Sequence, residues 1–186
     1  MTGESFRSIA VFGSSEPSPA ETLYGAAREV GRLLAVAGHR VVTGGYGGVM
    51  EGASRGAAEA GGRALGVVCS AFGDRAPNPY LTEVRNTPDL YARTRELVVA
   101  SDAFVVLSGG SGTLAEVALV WALHRAGSLG RRPMVLLGDP WPRVLRCLED
   151  AGVLAAPERA MTGLAATPTE AVALVTAALA RAGEEG

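Results

Sequence analysis

Residues 103–116 read AFVVLSGGSGTLAE, and this stretch decides the fold. Ala103–Leu107 is short and continuously apolar, as a strand buried on both faces must be. It breaks into Ser108-Gly109-Gly110-Ser111-Gly112-Thr113, and apolar spacing resumes over Leu114–Ala126, which predicts a helix. A strand that turns through glycine into a helix leaves backbone N–H groups unpaired at the turn. The helix dipole adds partial positive charge there, so the turn suits a phosphate.

Outward from this unit the pattern repeats. Ser8–Phe12 (SIAVF) ends in Gly13-Ser14-Ser15, and Leu23, Ala27, Val30, Leu34 and Ala37 then recur at helical spacing before Gly38. Arg40–Thr43 runs into Gly44-Gly45-Tyr46-Gly47-Gly48, Val49–Ala60 reads as a helix, and Ala64–Cys69 as a third strand. Further helices are expected over Asp89–Ala100, Pro140–Asp150 and Thr169–Ala182, with strands at Met134–Leu137 and near Ala160–Leu164. Ser70–Pro88 carries prolines and no clear period, and reads as a long loop. Apolar strands alternating with helices give one domain over residues 1–186. Its class is α/β, a Rossmann-like, doubly wound parallel sheet with helices on both faces. Ligands of such a sheet bind beyond the carboxyl ends of the strands, where the three glycine turns fall.

Composition excludes several chemistries. At 186 residues and 48% hydrophobic the chain can build a full core. The net charge of −2 lacks the basic footprint of a nucleic-acid binder. No apolar run is long enough to span a membrane, and MTGESFRS shows no secretory pattern, so a cytoplasmic protein is expected. All 17 basic residues are arginine. A Schiff base with pyridoxal phosphate and a P-loop lysine are therefore both excluded. No glycine turn has GxGxxG spacing, which speaks against a nicotinamide dinucleotide. His39 and His124 are isolated and read as structural, so no metal is expected. Ser14, Ser15 and Ser111 lack an activating histidine pattern. Cys69 and Cys147 lie beside apolar runs and read as free, buried thiols.

The candidate site follows. Gly109, Gly110, Ser111, Gly112 and Thr113 form the phosphate cradle, and Gly13, Ser14, Gly44, Gly45 and Gly47 supply the neighbouring turns. A simple preference for glycine at strand-to-helix turns accounts for any one of these alone. Glu116 has two readings. As the fourth residue of T-L-A-E it closes a capping box on Thr113; as a carboxylate facing a sugar it stabilises charge at an anomeric carbon. Arg93 and Arg95 are either anion clamps or solvated helix charges. Glu83 and Arg85 lie in the long loop, where Glu83 either contacts a substrate or covers the pocket.

Ser101-Asp102-Ala103-Phe104 through Ser108–Glu116 resembles the SDAF…PGGxGTxxE signature of the Lonely Guy (LOG) family, whose members were often labelled lysine decarboxylase-like. Glu83-Val84-Arg85 with Asp89-Leu90-Tyr91-Ala92-Arg93 is similar to the family's EVR…DMHxR stretch, Gly13-Ser14-Ser15 to its GSS, and Gly44–Met50 to its second glycine turn. Ser108 stands where the signature has proline, and Thr94 where the family has lysine. The style of the second turn resembles a bacterial subgroup. The resemblance implies a nucleoside 5′-monophosphate phosphoribohydrolase, which cleaves AMP or N6-modified AMP to free base and ribose 5-phosphate. It implies Arg93 and Glu116 as the catalytic pair, no cofactor, and a homodimer. Wider relatives of the fold imply the alternative, a non-catalytic carrier or sensor of a nucleotide or molybdenum cofactor.

Overall fold

In the computed structural model, which describes residues 7–184, a single seven-stranded sheet organises the chain. Most of the opening segment read above for a secretory pattern lies outside the described residues. The strands are β1 (Ser8–Phe12), β2 (Arg40–Thr43), β3 (Ala64–Cys69), β4 (Glu83–Thr87), β5 (Ala103–Val106), β6 (Met134–Leu137) and β7 (Thr162–Ala165). Their order is β4-β3-β2-β1-β5-β6-β7, and every pair is parallel. The chain builds outward from β1 to β4, then returns to lay β5 on the other side of β1. That reversal is the topological switch point where such sheets bind ligands.

The helices are α1 (Thr22–Val36), α2 (Val49–Glu59), α3 (Leu90–Val99), α4 (Ser111–Arg125), α5 (Trp141–Asp150), α6 (Ala156–Ala160) and α7 (Pro168–Glu184). They divide between the two faces according to the period of the strands. Ile9, Val11, Val41 and Val105 pack with Ala27, Val30 and Leu34 of α1, Ala53 and Ala57 of α2, and Val175 of α7. The alternate residues Ala10, Phe12, Val42, Phe104 and Val106 pack with Leu97 of α3, Val117 and Trp121 of α4, and Trp141 of α5. Two-sided burial explains why the middles of these strands are apolar.

The helical glycines bring α1 and α2 together. A Cβ on Gly31 would strike the Ala53 carbonyl, and one on Gly56 would strike the Arg28 carbonyl. The two backbones therefore touch where any side chain would hold them apart.

Three features differ from the sequence reading. Within the expected loop Ser70–Pro88, residues Ser70–Phe72 form a 3₁₀ turn and Glu83–Thr87 form β4. β4 is an edge strand with mostly exposed side chains, so it lacks an apolar signature. The short α6 separates β6 and β7. Both cysteines are free, but only Cys69 is buried; Cys147 is exposed, on the outer side of α5. Among the described residues no helix is long and apolar enough to cross a membrane.

Candidate active site

The carboxyl ends of β1, β2, β3 and β5 surround a cleft of about 260 Å³. Gly13 and Ser14 enter it after β1, Gly44 and Tyr46 after β2, Phe72 and Arg75 after β3. Gly110, Ser111, Gly112, Thr113 and Glu116 enter it after β5, and Arg93 reaches it from α3. Backbone hydrogen bonds tie the turns together. Ser14 N–H donates to the Ser108 carbonyl at 3.0 Å, and Val49 N–H donates to the Ser14 carbonyl at 2.9 Å. Two glycines are required at these crossings. A Cβ on Gly109 would strike the Thr113 hydroxyl and lie 3.0 Å from the Ser14 nitrogen. Gly48, at φ 69°, sits against the Ser14 carbonyl in a conformation that side chains rarely adopt.

α4 begins at Ser111, with Gly110 as its N-cap and no side chain capping it. Its first intrahelical bond runs from Leu114 N–H to the Gly110 carbonyl, 3.1 Å. The N–H groups of Ser111, Gly112 and Thr113 therefore have no partner within the helix and border the cleft. Unpaired N–H groups at a helix start suit an anion, so this end of the cleft is the candidate phosphate cradle.

The helix start also decides between the two readings of Glu116. With α4 beginning at Ser111, Thr113 lies inside the first turn and Glu116 in the second, so the capping box does not form. Glu116 instead lines the cleft, and burial raises its carboxyl to about 7, against the opposing pull of Arg93. At neutral pH this carboxyl exchanges a proton readily.

Arg93 is 7% exposed. Its Nε donates to the Val67 carbonyl at 2.9 Å and its Nη2 to the Gly44 carbonyl at 3.0 Å. The guanidinium lies 5.7 Å from the ring centres of both Tyr46 and Phe72. Burial pulls its pKa down, while Glu116 is the largest influence holding it up. Arg93 is thus a fixed cation, clamped to the ends of β2 and β3 and coupled to Glu116. Arg95 lines a separate surface depression with Arg85 and Glu96.

Of the residues expected from sequence, the structure brings Arg93, Glu116, Gly13, Ser14, Gly44, Gly110, Ser111, Gly112 and Thr113 to one cleft. Gly45, Gly47 and Gly109 do not line it and instead shape its turns. Gly45, for example, packs on Val68 and Gly66 of β3. Glu83 lies apart. It opens β4 opposite Leu65, at the amino-terminal end of the strands, and pairs with Arg40 at 3.3 Å and Arg85 at 2.8 Å. It does not reach the cleft because parallel register puts the start of β4 at the far end of the sheet.

Sequence reasoning passed over Tyr46, Phe72, Arg75 and Asn78. Asn78 is buried; its N–H donates to the Gly45 carbonyl at 2.8 Å and its side-chain amide to the Tyr46 carbonyl at 3.1 Å. The Tyr46 hydroxyl in turn accepts from Cys69 N–H at 2.9 Å and donates to the Cys69 carbonyl at 3.2 Å. These bonds fasten the segment after β3 onto the second glycine turn. The proline-bounded Asn78 was the available signal: a buried asparagine in a loop normally serves backbone groups.

The chain is similar to several known proteins. A cytokinin riboside 5′-monophosphate phosphoribohydrolase of Mycobacterium tuberculosis is 36% identical over 137 residues, 72% of this chain and 71% of that protein. A probable cytokinin riboside 5′-monophosphate phosphoribohydrolase of rice (Oryza sativa subsp. japonica) is 34% identical over 134 residues; the match covers 71% of this chain but 59% of the rice protein. Among solved structures, the molybdenum cofactor carrier protein of Chlamydomonas reinhardtii superposes with a TM-score of 0.72 at 31% identity, over 94% of this chain and 99% of that one. The sequence pattern of the SLOG cluster4 family matches residues 6–138, from before β1 through β6, and the chain belongs to that family.

Proposed function

We propose that the chain is a nucleoside 5′-monophosphate phosphoribohydrolase that hydrolyses the N-glycosidic bond of AMP or an N6-modified AMP. The observation that carries this reading is the shared cleft: Glu116, free of any capping role, faces it with Arg93, beside the open N-terminus of α4. In this reading the N–H groups of Ser111–Thr113 bind the 5′-phosphate, and that remote binding energy is used at the reacting bond. Cleavage builds positive charge on the ribose, as in glycoside hydrolysis. Ionised Glu116 stabilises that charge or takes a proton from the attacking water. The Arg93 charge pulls against burial and favours the ionised carboxylate at neutral pH.

The similarity to the Chlamydomonas carrier favours a second reading, a binding module that holds a phosphorylated ligand without cleaving it. Incubation with AMP and with N6-isopentenyl-AMP, followed by assay for free base and ribose 5-phosphate, separates the two. Release of both products supports the enzyme. Tight nucleotide binding with no release supports the carrier and refutes the enzyme.

A homodimer and a cytoplasmic setting belong to the same proposal. Leu90, Tyr91 and Val99 of α3 and Leu114 of α4 are exposed apolar side chains on one face of the sheet, which a second copy would cover. Two free thiols fit a reducing compartment.

A further inference from the structure

The cleft has two ends that the catalytic pair does not account for equally. The cradle of α4 and Ser14 lies over β5 and β1, while Phe72 and Arg75 enter from the end of β3. β3 lies two strands beyond β1, roughly 10 Å away at ordinary strand spacing. A nucleotide with its phosphate on α4 and its ribose at Glu116 therefore extends its base toward Tyr46, Phe72 and Arg75. Tyr46 and Phe72 meet edge-to-face with ring centres 5.7 Å apart, a wall suited to an aromatic ring. The Arg75 guanidinium lies over the Tyr46 ring, 5.4 Å from its centre.

Breaking the bond between C1′ and the base nitrogen sends its electron pair to the base. Some group must meet the negative charge that develops there. Arg93 is poorly placed for this, since its Nε and Nη2 are held by the Val67 and Gly44 carbonyls. Arg75 sits on the exposed segment over the cleft, at the base end. Arginine offers only donors, which matches the acceptor nitrogens of a purine.

Resting on the phosphoribohydrolase reading, we propose that Arg75 is a further catalytic residue. Its guanidinium donates hydrogen bonds to the departing base and stabilises the charge that develops as the C1′–N bond breaks. The base then takes its proton from water, and the attacking water completes ribose 5-phosphate. Arg75 acts on the leaving group, whereas Glu116 acts on the sugar.

The test compares two leaving groups in wild type and Arg75→Ala. AMP loses its base with developing negative charge. 7-Methylguanosine 5′-monophosphate carries a positive ring and loses its base as a neutral molecule, so it has no charge for Arg75 to meet. With AMP, kcat in Arg75→Ala is expected to fall by about 10²-fold, the scale for losing one charge-stabilising donor. With the methylated nucleotide the variant is expected to match or exceed wild type. Equal losses on both substrates would make Arg75 a structural residue and overturn the proposal alone. A wild-type protein that cleaves neither nucleotide overturns the phosphoribohydrolase reading, and the role of Arg75 with it.

Discussion

Replacing Glu116 by glutamine keeps the shape of a cleft side chain and removes its ability to ionise. In the folded chain burial raises this carboxyl from its ordinary 4.5 to about 7. The folded state therefore holds the proton more tightly than the unfolded chain does. Its contribution to stability is complete below about 4.5 and is lost as pH rises through about 7. At 1.36 kcal/mol per unit, the wild type gives up about 3 kcal/mol by pH 8.5. Glu116→Gln gives up none of it. Urea unfolding followed by the fluorescence of buried Trp121 and Trp141 measures both proteins at pH 4.5 and pH 8.5. The stability difference is expected to shift by about 3 kcal/mol in favour of the variant at the higher pH. In thermal unfolding this is roughly 6–12 °C for a chain of this size. In the proposed phosphoribohydrolase the same titration would govern turnover, so the wild-type rate is expected to rise with pH through about 7 as the carboxylate forms. A stability difference identical at both pH values would refute the reasoning, because Glu116 would then ionise as freely in the cleft as in the unfolded chain.

Other regions give independent tests. Gly56→Ala raises helix propensity, yet its methyl strikes the Arg28 carbonyl, so urea unfolding should show a loss of about 1–3 kcal/mol. Gly25→Ala, where a Cβ meets nothing within 4 Å, should be neutral or stabilising by comparison. Asn78→Ala leaves the Tyr46 carbonyl without its side-chain donor and loosens the segment that carries Phe72 and Arg75. A stability loss of about 1–2 kcal/mol and a raised KM for nucleotide are expected. In the native protein a thiol-alkylating reagent should modify exposed Cys147 and leave buried Cys69 untouched until the chain is unfolded.

The central strands were legible because burial on both faces favours apolar residues there, and the glycine turns marked where they end. The edge strand β4 was not, since its sequence, Glu-Val-Arg-Asn-Thr, mostly faces solvent and pairs on one side only. At the site, Arg93 and Glu116 could be named from sequence, but their relation could not. The role of Glu116 turned on whether α4 begins at Ser111 or after Thr113, and Ser-Gly-Thr carries little local preference for either. Glu83 looked equivalent to the cleft residues in one dimension; parallel register moved it to the opposite end of the sheet. Tyr46, Phe72 and Arg75 converge only through contacts between the ends of β2 and β3, which no spacing along the chain records.

Ribose 5-phosphate release from AMP by wild type and Glu116→Ala, at matched nucleotide occupancy, tests the central claim most directly. The expected result is turnover by wild type, turnover reduced by at least about 10²-fold in the variant, and nucleotide binding retained through the α4 N-terminus. Turnover that persists undiminished in Glu116→Ala would contradict the account.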